Sequence, residues 1–256
     1  MRTTNGHKTA PINEPGSTMG VTPGDADFAP LDFWQAILPA RTYDVQPPDG
    51  HHGYYPASLP DGRQLALPIR ERDQGKEALA SLIINQASFT VLDALATELA
   101  KKIAPLDPDI IVGLPTLGLP LAQETARRLG HQRFVALSFS RKFWYDDALS
   151  VPVRSITSPG QKKWLFADPR MLPLMASKSI VLIDDVISSG KSIAAALELL
   201  AKCGVTPNAI GAAMLQSDSW VQTLGGIDTG LPEKVFGVFK TPLLTKLSGG
   251  GWQAAL

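Results

Sequence analysis

The run IVLIDDVISSGKS at residues 180–192 constrains this chain more than any other stretch. Four apolar residues lead into two adjacent carboxylates, Asp184 and Asp185. A turn of Ser188, Ser189, Gly190, Lys191 and Ser192 follows, and an apolar helical pattern begins at Ile193. A strand that turns tightly into a helix leaves the first N–H groups of that helix without intrahelical partners, at the positive end of its dipole. Hydroxyls from Ser188, Ser189 and Ser192 add donors, and Gly190 permits a left-handed backbone or a close approach. Such a turn is a cradle for a phosphate dianion.

Two acids directly before a phosphate cradle would repel a bare phosphate. They make sense where the ligand carries hydroxyls beside its phosphate, as a ribose 5-phosphate does. The 2′- and 3′-hydroxyls would then donate to Asp184 or Asp185. The end of the string, Gly190-Lys191-Ser192, also matches the close of a P-loop, but Asp185 occupies the position where that loop needs its first glycine. Acid pairs at strand ends are common, so the pair alone is compatible with a merely structural turn; the full string is much harder to explain that way.

The surrounding sequence alternates strand and helix patterns. Residues 109–113 (DIIVG) form a short apolar strand, 119–129 a helix stopped by Gly130, 133–139 a second strand and 179–183 a third. A helix over 193–203, a strand over 208–215 and a further strand over 234–239 follow. This order implies an α/β fold with a mostly parallel twisted sheet covered by helices. Residues 76–103 lack Gly and Pro and carry the helical stripe Leu82, Val91, Leu95 and Leu99, ending on Lys101 and Lys102, with Ser88 able to cap a second helix inside that span. Residues 140–178 show no clean period, and 241–256 read as loop. The division expected is a disordered segment at 1–27, a cap or hood segment at 28–75 with a short strand near 64–70, a core at 76–240 and a tail at 241–256 that joins the hood.

The string at 180–192 resembles the 5-phosphoribosyl pyrophosphate (PRPP) motif of the type I phosphoribosyltransferases: apolar strand, two acids, two apolar residues, then a five-residue phosphate loop around a glycine. Residues 109–122 (DIIVGLPTLGLPLA) resemble that family's pyrophosphate segment. By position, Pro115, Thr116, Leu117 and Gly118 correspond to the loop that often holds a strained or cis peptide there. A looser likeness places Arg141 and Lys142 at the start of the family's mobile lid, with Arg154, Lys162 and Lys163 as further cations.

The resemblance implies transfer of ribose 5-phosphate from PRPP to a nucleobase or related nucleophile with release of pyrophosphate. It implies Mg2+ as cofactor, held by substrate oxygens and water near Asp184 and Asp185 rather than by dedicated ligands, and a homodimer. Asp184 and Asp185 would orient the ribose, and Arg141 and Lys142 would neutralise the departing pyrophosphate. The same fold also serves PRPP-sensing regulators without catalysis, and both readings stand at this point.

The resemblance also narrows the acceptor. Ser188 stands where the hypoxanthine-guanine enzymes carry an acid, and the lysine and histidine that the orotate enzymes place beyond the Arg-Lys pair are missing. No general base can be assigned. His51 and His52 lie in a Gly/Pro-rich stretch and are expected to be solvated, and His131 after Gly130 is expected in a surface turn. Phe143, Trp144 and Tyr145 suit either packing on a hairpin or stacking on a base.

Charge and composition close off other classes. Lys plus Arg and Asp plus Glu number 24 each, so the net charge is zero and offers no footprint for nonspecific nucleic-acid binding. The one cysteine, Cys203, excludes an intrachain disulfide and reads as a small buried residue. Residues 1–27 lack an apolar signal core and no run is long enough to span a membrane, so the expected location is cytoplasmic.

Overall fold

A computed structural model describes residues 28–153 and 163–255. The expected disordered segment at 1–27, the lid cations Arg154 and Lys162, and Leu256 lie outside the described residues. In chain order the strands and helices are β1 (Tyr54–Ser58), β2 (Gln64–Arg72), β3 (Glu77–Ala80), α1 (Phe89–Ile103), β4 (Ile110–Gly113), α2 (Gly118–Arg128) and β5 (Val135–Ala136). There follow β6 (Ser150–Val153), β7 (Lys163–Phe166), α3 (Leu172–Met175), β8 (Ile180–Ile187), α4 (Lys191–Lys202) and β9 (Ala209–Gln216). The chain closes with α5 (Ser219–Gly225), β10 (Val235–Thr241), β11 (Leu243–Lys246) and β12 (Trp252–Ala254).

The core is a five-stranded sheet in the order β10-β9-β8-β4-β5, parallel at every pairing. Its strands alternate between two apolar layers, as the period of two requires. Along β8, Val181 and Ile183 face the layer that holds α1 and α2, whereas Ile180 and Leu182 face the layer that holds α4. Helix α1 starts where Ser88 Oγ accepts from Val91 N at 3.2 Å. It seats Leu95, Leu99 and Ile103, all fully buried. Gly211 of β9 lets α1 lie close, since a methyl there would stand 3.1 Å from Ile103 Cδ1.

A second five-stranded sheet, β1-β2-β3-β11-β12, is antiparallel and forms the hood. It corrects two sequence expectations. Residues 77–80 are strand β3 rather than the opening of a helix, because Ala78 and Leu79 find partners in both β2 and β11. Residues 243–246 and 252–254 are strands rather than loop, since β11 completes its ladder on β3 and β12 on β11. The ladder between β3 and β11 is not visible in a local pattern, because its pairing partners lie far apart in sequence.

The segment without a clear period holds the β6–β7 hairpin, which buries Val151 and Leu165 in the α4-side layer. Lys202 of α4 donates to the Ser150 carbonyl at 2.9 Å. Hood and core are joined by Gln216, whose Nε2 donates to the Ala80 carbonyl at 2.7 Å. No helix among the described residues is long and apolar enough to cross a membrane.

Candidate functional site

The site is built at the carboxyl ends of β4 and β8, where open α/β sheets bind ligands. Strand β8 runs further than the apolar pattern indicates: Asp184 pairs with Ala212 and Val186 with Met214, so both acids sit inside the strand rather than after it. Asp184 and Asp185 are buried, at 7% and 8% exposure. The Asp185 N–H donates to Asp184 Oδ1 at 2.9 Å. Burial, reinforced by the neighbouring Asp185 charge, pushes the Asp184 carboxyl well above the ordinary carboxylate value; burial also raises Asp185. Two adjoining carboxyls are thus held away from water, in a place that favours a ligand bringing hydroxyl donors or compensating positive charge.

The segment from 115 to 118 meets this pair directly. A methyl group on Gly118 would stand 2.8 Å from both Cα and Oδ1 of Asp184, so only glycine lets the start of α2 lie against the acid. The peptide between Pro115 and Thr116 is cis. Strands β4 and β8 are adjacent in the sheet, with Gly113 opposite Ile183, which is what brings the two sequence motifs together.

Beyond the acids, Ser188, Ser189, Gly190, Lys191 and Ser192 wrap a small cavity of about 90 Å3 with Asp184 on its rim. Gly190 has φ of 76°, the left-handed region that favours glycine. It is closed from behind by Trp220, whose Cα and Cβ would lie 3.3 Å from a methyl on Gly190. Helix α4 starts at Lys191, so its first N–H groups are free of helical partners. The structure therefore brings eleven of the residues singled out in the sequence together at one end of the sheet: Pro115, Thr116, Leu117 and Gly118 on one side, Asp184 and Asp185 of β8 and the five loop residues on the other.

Arg141 and Lys142 occupy a separate loop after β5. Arg141 Nε is paired with Asp147 Oδ1 at 2.6 Å, and Lys142 Nζ donates to Ser140 Oγ at 3.2 Å. Both side chains are exposed. The aromatic run beside them divides. Trp144 donates its indole N–H to Asp168 Oδ2 at 3.3 Å and lies under the Arg170 guanidinium at 4.6 Å. Tyr145 packs near Phe166 on the hairpin, while Phe143 is 89% exposed. Hydrogen bonds from Arg170 hold the Asp168 carboxyl at about 2, so this anchor stays ionised across the physiological range.

Of the two histidines expected to be solvated, His52 is exposed and His51 is not. His51 is buried rather than solvated, at 7% exposure. It exchanges backbone hydrogen bonds with Trp252 at 2.7 and 2.9 Å and sets its ring edge-on to Tyr55. His131 directly follows the turn that closes α2 and is half-buried, with its ring Nε2 turned away from solvent. Cys203 is half-buried among apolar neighbours, and burial pushes its thiol up.

Sequence reasoning missed the turn after β9. Ser217, Ser219 and Trp220 stand against the back of the 188–192 loop, with Ser219 Oγ donating to the Ser188 carbonyl at 3.0 Å. The available signal was Ser-Asp-Ser-Trp directly after an apolar strand, which is the composition of a hydroxyl-closed turn.

Comparison with known proteins bears on the fold that carries this arrangement. The family model described as phosphoribosyl transferase domain matches residues 79–220. Among curated proteins, "Transcriptional regulator GfcR 1" of Methanosarcina barkeri is 32% identical over 102 residues, covering 40% of this chain and 43% of the relative. "Transcriptional regulator GfcR" of Methanosarcina mazei is 31% identical over the same length and shares. The chain thus spans less than half the length of these relatives. Among solved structures, the APRTase of Giardia lamblia complexed with 9-deazaadenine superposes with a TM-score of 0.50 at 22% identity, over 59% of this chain and 80% of that one. That likeness is one of fold.

Proposed function

The chain belongs to the phosphoribosyl transferase domain family, and on that premise we propose that it binds PRPP at the carboxyl end of its parallel sheet and transfers the ribose 5-phosphate to a small nucleophile, releasing pyrophosphate. The observation that carries this reading is the approach of Gly118 to Asp184, which sets the 115–118 loop and the 188–192 cradle on either side of one buried acid pair. A ligand with phosphate groups at two ends and a diol between them matches that order of groups.

In this reading the loop of Ser188, Ser189, Gly190, Lys191 and Ser192 takes the 5-phosphate through backbone N–H groups and hydroxyls. Asp184 and Asp185 accept from the ribose hydroxyls and so fix the face that C1 presents. The Pro115–Gly118 loop receives the pyrophosphate on the backbone N–H groups of Thr116, Leu117 and Gly118, Pro115 having none to give. Arg141 and Lys142, from the exposed loop after β5, exchange their present partners Asp147 and Ser140 for pyrophosphate oxygens and exclude water as they do so.

The buried, mutually repelling acid pair fits a divalent cation nearby, and Mg2+ would be held beside Asp184 and Asp185 mainly through substrate oxygens and water. Bound there, it would supply charge neutralisation for the pyrophosphate leaving group. The acceptor is a nucleobase or related nucleophile, received under the hood.

A second reading, a PRPP-responsive regulator without transfer chemistry, is favoured by one observation: the curated relatives are described as transcriptional regulators. Calorimetric titration with PRPP and Mg2+, followed by pyrophosphate-release assays across a panel of nucleobases, separates the two. Binding with release for one base supports the transferase. Binding without release across the panel supports the regulator, and absence of binding overturns both.

A further inference from the structure

The 188–192 loop is held from behind by the turn that follows β9. Ser219 Oγ donates to the Ser188 carbonyl at 3.0 Å. A serine hydroxyl has one hydrogen, so the 3.1 Å contact between the Ser217 and Ser219 hydroxyls must be donated by Ser217. The hydroxyls therefore form a directed relay from Ser217 to Ser219 to the Ser188 carbonyl. Ser217 is itself fixed on three sides. Its N–H donates to the Thr241 carbonyl at 2.8 Å, its carbonyl accepts from Trp220 Nε1 at 3.0 Å, and its hydroxyl accepts from Ser219 N at 3.4 Å.

The relay has a geometric consequence for ligand binding. In a trans peptide the C=O of Ser188 and the N–H of Ser189 point in opposite directions within one plane. Holding the carbonyl on Ser219 aims the Ser189 N–H away from α5, and Ser189 lines the cavity. One residue further on, Trp220 and Thr223 stand 3.3 Å from any methyl that Gly190 would carry, which closes the same side of the loop. The turn also reaches the hood, because Thr241 ends β10 next to β11 and Gln216 donates to the Ala80 carbonyl at 2.7 Å.

We propose that Ser217 and Ser219 are positioning residues for the phosphate cradle: their hydroxyl relay orients the Ser188–Ser189 peptide so that its N–H is preset for the phosphate end of the ligand. This rests on the reading of the 188–192 loop as a phosphate site, and it adds residues from outside the 180–192 string. The relay acts on one end of the ligand only, since its contacts reach the 188–192 loop and not the 115–118 loop.

The test is calorimetric titration of the full chain with ribose 5-phosphate and, separately, with pyrophosphate plus Mg2+, using wild type, Ser219→Ala, Ser219→Thr and Ser217→Ala. Loss of one hydrogen bond that presets a donor predicts weakening of ribose 5-phosphate by about threefold to tenfold in Ser219→Ala. Ser217→Ala, which removes the donor to Ser219, weakens it less. Pyrophosphate affinity stays unchanged, and Ser219→Thr, which keeps the hydroxyl at an exposed position, restores ribose 5-phosphate binding. Unchanged ribose 5-phosphate affinity in Ser219→Ala overturns the relay while leaving the phosphate site standing. Equal weakening of both ligands also overturns it, because that marks general loosening. Failure of the wild type to bind ribose 5-phosphate overturns the phosphate site itself and the relay with it.

Discussion

The two five-stranded sheets of this protein treat two buried polar features, an acid pair and a histidine, in opposite ways. The parallel core ends in two acids whose burial pushes both carboxyls up. The charged pair opposes folding and is retained in spite of that. The antiparallel hood buries His51, whose ring is pushed down by burial while the Val45 carbonyl and Asp44 oppose the shift. Its neutral ring packs on Tyr55 next to Trp252 and supports the sheet. The buried acid pair of the core fits the proposed ligand site, and the buried His51 of the hood supports the fold.

The sharpest way to break that contrast is at the acids. Replacing Asp184 and Asp185 with Asn is expected to lower PRPP affinity by at least roughly a hundredfold, from the loss of hydrogen bonds to charged acceptors. The melting temperature of the unliganded protein should hold or rise, since two poorly solvated charges are gone. Titration calorimetry and thermal melts on the same samples check it; a large fall in melting temperature would make the pair structural.

The exposed loop at the core's edge gives the next effect. Replacing Arg141 and Lys142 with Ala is expected to reduce turnover by about a hundredfold, the scale for removing charge stabilisation at a leaving group. PRPP affinity should change much less, and the melting temperature should stay put because both side chains are solvated. Equal losses in turnover and affinity would reduce them to binding groups.

Gly190→Ala tests the cradle's backbone. A side chain at φ of 76° is strained by roughly 1–2 kcal/mol, and here it also meets Trp220. PRPP binding should weaken by about tenfold, with a fall in melting temperature that Asp184→Asn does not show.

The smallest effect belongs to the hood. A histidine whose pKa is lowered on folding stabilises the native state above its unfolded value of about 6.5, and that contribution is lost as the pH falls through it. Melting temperatures of the wild type should therefore drop between pH 7.5 and 5.5 more steeply than those of His51→Gln. Parallel slopes would show that His51 does not carry the difference.

The core's legibility in sequence follows from how it is made. Parallel strands buried on both faces are short apolar runs, and each functional loop is a contiguous stretch, so 109–122 and 180–192 are visible as strings. The hood is not contiguous: β3 pairs with β11 across the whole core, and residues 77–80 alone look like the front of the helical pattern beside them. The proposed role of the Arg141 loop rests on two side chains rather than on a contiguous backbone motif, and its sequence signal is correspondingly loose. Ser217 and Ser219 carried almost no signal, because their relevance lies in a contact with a loop about thirty residues earlier (Ser219 to Ser188).

The sequence by itself determined the order of strands and helices in the core, the acid pair, the glycine-centred turn and the candidate phosphate chemistry, because each of these depends on neighbours along the chain. Tertiary structure alone decided that Gly118 lies against Asp184, that residues 243–254 close a second sheet, that His51 is buried, and that the turn after β9 braces the cradle. Local pattern encodes backbone conformation and which face is apolar; it does not encode which distant surfaces those faces meet.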